Sequence, residues 1–319
     1  MANDKAKNTS REQRQMLAQF IIDSIAQGDV RDWHAGWDAT MLVNVNGKSG
    51  RAYNGVNRLW LTYASMVEGY ADNRWYTFDS IKYAKGLHLR KGSHASYVEF
   101  WKRQPWYKKD ADGNPVTDED GNKVIDHYYM KLCAVYPVYN GSCIEGLEPL
   151  HFEPKDDEQL FAIADNFIEL VKLGGKFTES VDMRAYFAPR SNRVNLPLRG
   201  KFDTARDFLA TLIHEFAHST KAQTRMGRER KDLGDDKASY AYEELVAEMT
   251  ALFVQADLGL DSFGRTTENS LAYLAHWGER TADEDTVAQI MSAISEAQRV
   301  ADWIMGQYEQ HFGKVELAA

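Results

Sequence analysis

The chain of 319 residues has only two cysteines, Cys133 and Cys143, and only seven prolines. Two such thiols form neither a disulfide framework nor a cysteine metal cage, so both are read as reduced. No apolar run nears the roughly 18 residues that a membrane helix needs, and the opening MANDKAKNTSREQRQ is too polar for a secretion signal. These absences predict a cytoplasmic protein with no membrane span. Internal repeats and low-complexity tracts are also missing, which excludes a repeat array. What is present is ample core material: 44% of residues are hydrophobic and 27% charged, suiting about two globular domains. The net charge of −9 is unevenly spread. Residues 31–109 hold 13 Lys+Arg against 6 Asp+Glu, whereas residues 151–319 hold 19 against 29, so a locally basic module precedes an acidic one.

The segment FDTARDFLATLIHEFAHSTKA, from Phe202, carries Phe208, Leu209, Leu212, Ile213, Phe216 and Ala217 at helical period behind an Asp203 or Thr204 cap. On that helix His214 and His218 are one turn apart and can share one metal ion, with Glu215 beside them, the HExxH pattern of zinc hydrolases. The competing reading is two satisfied histidines on an ordinary amphipathic helix, and a third ligand decides between them. No histidine follows at metzincin spacing, because Ser219, Thr220 and Lys221 come next. Instead YAYEELVAEMTALF, from Tyr240, predicts a second helix on which Glu244 and Glu248 are one turn apart. Glu244 is the expected third ligand and Glu248 the acceptor that orients a ligand histidine; the alternatives are Glu248 or Glu243 as the ligand, or all three glutamates on a solvated helix face. Zn²⁺ is the expected ion, and Mn²⁺ or another divalent ion suits the same donors. Glu215 is the expected general base for peptide hydrolysis. Tyr240, Tyr242 and His276 are candidate oxyanion donors.

Along the chain, helical spacing runs from Arg11 to about Ala26, behind a mobile stretch at residues 1–10. A loop at Asn54-Gly55 enters a helix through Leu59 and Trp60, and a short helix is expected at Ser80 to Ala84. Strand signals around Tyr97 to Trp101 and from Tyr128 to Val138 flank KKDADGNPVTDEDGNK. That segment reads as an exposed hairpin, since no glutamate stands at the twelfth position of a calcium loop. Glu148 to Pro154 marks the expected boundary between domains at 1–150 and 151–319. Beyond it come a helix from Asp157 to Leu173, a strand within AYFAPRSNRVNLP, and helices near Asn269–Arg280 and Asp285–Gln310. The fold class is α+β, a mixed front half followed by a mainly helical one.

Six of the eight tryptophans (Trp33, Trp37, Trp60, Trp75, Trp101 and Trp106) precede residue 110, interleaved with Arg51, Arg58, Arg74, Arg90, Lys91, Lys102 and Arg103. Rings stack on unpaired bases and cations track phosphates, so the composition suits single-stranded nucleic acid; on composition alone, a tryptophan-rich core with solubilising cations is the simpler reading.

RAYNGVNRLWL, RWYTFDSIKYAKGLHLRKGSHASYVEFW and VYPVYNGSCIEGLEP resemble the N-terminal domain of the ArdC-type antirestriction family of plasmids and phages. AYFAPRSNRVNLP, LIHEFAHSTK and YAYEELVAE are similar to that family's zincin-type, HExxH-bearing metallopeptidase domain, a gluzincin-type pattern. The resemblance implies a single-stranded-DNA-binding front domain and a metallopeptidase that together protect incoming DNA from host restriction. It implies His214, His218 and Glu244 as ligands and Glu215 as the catalytic residue. Tyr53, Gly55, Asn57, Trp75, Lys91 and Trp101 match the family's N-terminal pattern; of these Tyr53, Asn57, Trp75, Lys91 and Trp101, with the interleaved cations Arg51 and Lys102, are the candidate DNA-binding positions. The implied protein substrate is a host restriction or DNA-processing protein. Two departures stand out: Ser219 replaces a frequent aromatic, which would alter the cleft wall, and the acidic hairpin at 110–124 reads as an insertion that would repel DNA or meet another partner. Two other readings compete: a protein that shields single-stranded DNA by occupancy around a structural metal, and a peptidase whose front half binds protein.

Overall fold

A computed structural model of the chain describes residues 2–27, 42–151, 153–229, 231–260, 263–264 and 277–315, with side chains from residue 8 onward. Trp33, Trp37, His276 and most of the helix expected at 269–280 lie outside the described residues. Helix α1 (Ala2–Gln27) begins well before Arg11. Ser10 is buried and donates to the Glu99 carboxylate, and Gln13 donates to the Tyr97 carbonyl at 3.1 Å. These tertiary anchors fix α1 at Ser10 and Gln13, and the chain is helical from Ala2, where the local sequence predicts mobility.

In the front half, α2 (Gly55–Glu68) ends at Gly69, whose φ of 68° is the left-handed conformation that a C-cap needs. Strands β1 (Val45–Asn46), β2 (Arg74–Tyr76), β4 (Ser96–Tyr107) and β5 (Ile125–Asn140) form one sheet in the order β1-β2-β5-β4. Between them lie the short helix α3 (Phe78–Lys82) and β3 (His88–Leu89), which pairs with β6 (Ile144–Glu145). Strands β4 and β5 are much longer than their neighbours and pair antiparallel as an arm, with a bulge opposite Phe100/Trp101. At its tip, Asp110 and Asp118 each fold a tight turn, their Oδ1 atoms accepting backbone N–H groups of Asp112 and Asn114 and of Asp120 and Asn122.

In the second half, α4 (Asp157–Gly174) starts at a capping box between Asp156 and Gln159. The stretch expected to hold one strand supplies two, β8 (Tyr186–Ala188) and β9 (Arg193–Pro197), turned at Asn192 with φ 47°. With β7 (Lys176–Ser180) they form a sheet in the order β7-β9-β8, which leaves β8 at an edge. Helix α5 (Ala205–Ser219) is capped by Thr204, α6 (Asp236–Asp257) by Asp235, and α7 (Glu284–Phe312) by Asp283. One apolar core unites these helices with the front half: Leu17, Ile21 and Ile25 of α1 and Leu59 of α2 are buried in the same cluster as Leu212, Phe216, Leu252 and Ile294. No described helix is long and apolar enough to cross a membrane.

Candidate metal centre

The apolar stripe of α5 is buried against α4, α6 and the small sheet, which turns His214, Glu215 and His218 toward α6 and β8. The Nε2 atoms of His214 and His218 lie 3.1 Å apart. Glu244 Oε2, from α6, lies 3.4 Å from each. Three donor atoms bound about 2.0–2.2 Å from one tetrahedral ion sit about 3.3–3.5 Å from one another, so these fit a single cation. Among the described residues, this is the group of histidine and acidic side chains able to hold a metal.

Each imidazole is oriented from behind. His214 donates through Nδ1 to Glu248 Oε2 at 3.0 Å, and His218 donates through Nδ1 to Glu243 Oε1 at 2.9 Å. A carboxylate only accepts, so both neutral rings present the Nε2 lone pair to the shared point. Glu243, weighed from sequence only as an alternative ligand, is therefore an orienting residue in this geometry. Arg228 grips it with two N–H···O contacts of 2.6 and 2.8 Å and also reaches Glu296 at 3.1 Å. Sequence reading missed this Arg228–Glu243–His218 chain; the only signal was Glu243 beside Glu244.

The electrostatics agree with the geometry. Burial disfavours charged His214, yet the Glu244 and Glu248 carboxylates outweigh it and hold its pKa well above the ordinary histidine value. His218 is raised in the same way by Glu244 and Glu243. Burial pushes the Glu244 carboxyl up, but the two imidazoles hold it far below the usual carboxylate range. Surroundings that favour protons on both rings favour a cation between them. Glu215 differs: burial dominates and raises its pKa, although the histidines pull it down. Its carboxylate accepts the backbone N–H of Phe187 on edge strand β8.

Of the oxyanion candidates, Tyr242 is buried with its hydroxyl 3.0 Å from Ser292 Oγ and 3.1 Å from Glu296 Oε2, whereas Tyr240 is exposed on the first turn of α6. Ser219 is fully buried and its Oγ donates to the Phe216 carbonyl at 2.6 Å, so the position lines no surface and does not alter the cleft wall.

The candidate DNA residues do not form one surface. Trp75 is 0% exposed in the core and donates its indole N–H to Asn44 at 2.6 Å. Asn57 clasps the backbone of Glu99, donating to its carbonyl and accepting its N–H, both at 2.8 Å. Trp101 is half-buried, donates to Glu99 at 2.7 Å and lies under the Arg14 guanidinium. Tyr53 is half-buried beside Asn46, and burial raises its phenol pKa. Arg51, Lys91 and Lys102 are exposed. The cysteines carry free thiols, Cys143 buried and Cys133 half-buried.

Residues 163–296 match the zincin-like metallopeptidase family, and residues 11–136 match the N-terminal domain of the anti-restriction factor ArdC. Together these matches give the chain the two-domain ArdC architecture, an ArdC-type N-terminal domain followed by a zincin-like one. Two crystal structures of the antirestriction ArdC protein from plasmid R388 are similar to it. The metal-free one is 27% identical with a TM-score of 0.63, covering 92% of this chain and 98% of that one. The Mn(II)-bound one is 26% identical with a TM-score of 0.64, covering 93% and 98%. Two Escherichia coli proteins named DNA primase TraC are 29% and 27% identical over 93% of this chain, which spans only 20% and 27% of their length. A Sinorhizobium fredii protein, y4eC, is 29% identical over 96% of both chains.

Proposed function

We propose that the protein is a metal-dependent peptidase joined to a front half that binds single-stranded DNA, acting in antirestriction. One observation carries the peptidase reading: His214 Nε2, His218 Nε2 and Glu244 Oε2 converge within 3.4 Å while Glu215 stands beside them with a raised pKa. A divalent ion bound there, Zn²⁺ or Mn²⁺, supplies Lewis acidity and makes water easier to deprotonate. Glu248 and Glu243 keep the two rings aligned, and the α5 core excludes bulk water from behind them. Glu215 takes the proton of the attacking water at its carboxylate and returns it to the leaving amine nitrogen. An extended peptide pairs alongside edge strand β8, whose Phe187 N–H already holds the Glu215 carboxylate, so the peptide backbone passes Glu215. The R388 relative's Mn(II)-bound form supports a divalent ion other than zinc as an occupant. The protein substrate fits the class of host restriction or DNA-processing proteins, and the site of action is the cytoplasm.

The test compares metal-loaded wild type and Glu215→Ala on unfolded casein, with and without oligothymidylate. Wild type cleaves and the variant, with equal metal content, does not. Intact casein with wild type in every condition would favour DNA shielding by occupancy.

A further inference from the structure

We infer that single-stranded DNA lies along one face of the β4–β5 arm, its bases stacking on Tyr136, Phe100, Tyr129 and Trp106 and its phosphates meeting Lys102 and Lys131. This deepens the DNA-binding reading above and rests on it.

The register places these six side chains on one face. Val98 opposes Tyr136, Phe100 opposes Ala134, Lys102 opposes Lys131, Gln104 opposes Tyr129, and Trp106 opposes His127. Opposed residues and those two apart along a strand share a face. Ring contacts agree: Phe100 and Tyr136 lie 6.1 Å apart, Trp106 and Tyr129 5.8 Å, and Lys102 Nζ sits 5.5 Å over Phe100. The rings are nonetheless open to solvent: Phe100 is 42% exposed, Tyr136 48%, Tyr129 36% and Trp106 49%. A run of large exposed aromatics on one sheet face marks a binding surface.

Charge selects the partner. Lys102 and Lys131 stand directly opposite each other, an arrangement that destabilises a sheet unless an anion intervenes. Among the described residues neither lysine has a carboxylate partner, although Arg14, Arg58, Arg74 and Arg228 all do. An anionic ligand with flat apolar faces relieves both features at once, and single-stranded DNA has that chemistry. Both faces are covered at the base, this one by α2 over Val98 and the other by α1, through Arg14 on Trp101 and Ser10 and Arg14 on Glu99. The other face also exposes Tyr97, Tyr107 and Tyr128, but there its cations already lie over rings, Arg103 at 3.8 Å over Tyr128 and Lys123 at 5.5 Å over Tyr107. The acidic turns at 110–122 end the track by repelling phosphate.

The test is a titration of labelled oligothymidylate across a salt series, using the full chain. Trp106→Ala with Tyr129→Ala weakens binding about tenfold or more. Trp106→Phe restores most of it in the Tyr129 background. Lys102→Ala with Lys131→Ala lowers the slope of log affinity against log salt by about 1.4. Arg103→Ala with Tyr128→Ala, on the other face, binds as wild type does. Circular dichroism establishes that each variant is folded. Unchanged affinity and slope in both Lys102-face variants, with wild type still binding, would place the track elsewhere and leave the DNA-binding reading intact. No binding by wild type would overturn both.

Discussion

The most informative residue around the metal centre is one that touches no metal. Glu243 receives the His218 Nδ1–H and two Arg228 N–H groups, so its carboxylate fixes which His218 nitrogen faces the point shared by His214 and Glu244. Burial pushes the Glu243 carboxyl up, and the His218 and Arg228 hydrogen bonds hold it far below the usual range, which keeps it an acceptor at any pH of interest. Removing an orienting carboxylate of this kind typically lowers metal affinity about 10–100-fold. Glu243→Ala and Glu248→Ala are each expected to do so, measured by competition with a chromophoric chelator; affinity unchanged in both would reduce them to packing residues. Glu215→Ala is expected to keep metal affinity while peptide cleavage falls on the order of 10²–10⁴-fold. Helical period made the pairs His214/His218 and Glu244/Glu248 legible in the sequence, because residues four apart share a helix face. It left Glu243 undecided because the way α6 crosses α5 settles which glutamate meets which histidine.

At the scale of elements, α1 is tied to the arm through Glu99. Burial raises the Glu99 pKa, but Arg14, with hydrogen bonds from Ser10 and Trp101, outweighs it, so the value lies below the ordinary 4.5. The folded chain then binds fewer protons than the unfolded one near that pH, and the contribution is complete above 4.5 and lost as pH falls through the lowered value. Hydrogen exchange in residues 8–27 is expected to rise as pH drops below 4.5, and Glu99→Gln to flatten that response; an α1 equally protected at acid pH would contradict the tie. The same strand shows why DNA candidates were hard to pick from sequence. Composition cannot separate Trp75, enclosed in the core, from Trp106, open on the arm. Strand period could have helped, since Phe100, Lys102, Gln104 and Trp106 stand two apart and share a face. Resemblance drew attention to Trp101 on the other face. Nor did local sequence reveal that residues 2–10 are helical, because Glu99, far along the chain, holds Ser10.

For the whole molecule, two recognisable sequence modules share one hydrophobic core, and a charge pair, buried at Arg58 and half-buried at Asp257, fastens them. Arg58 on α2 reaches Asp257 at the end of α6 with contacts of 2.8 and 3.3 Å and donates to the Phe253 carbonyl at 3.3 Å. Asp257 lies on the same helix that carries Glu243, Glu244 and Glu248. Arg58→Ala, which leaves Asp257 and the Leu42 and Phe253 carbonyls without their donor, is expected to destabilise the chain by about 1–3 kcal/mol in urea unfolding. Residues 151–319 alone lack Leu17, Ile21, Ile25 and Leu59 from their core and are expected not to unfold cooperatively; a sharp transition in that fragment would show two independent folding units. The account as a whole turns on the three ligands. Equilibrium dialysis of wild type and Glu244→Ala against Zn²⁺ and Mn²⁺, read by elemental mass spectrometry, tests them most directly. One ion per wild-type chain and its loss in a still-folded Glu244→Ala is the predicted result, whereas wild-type occupancy in the variant would contradict the site.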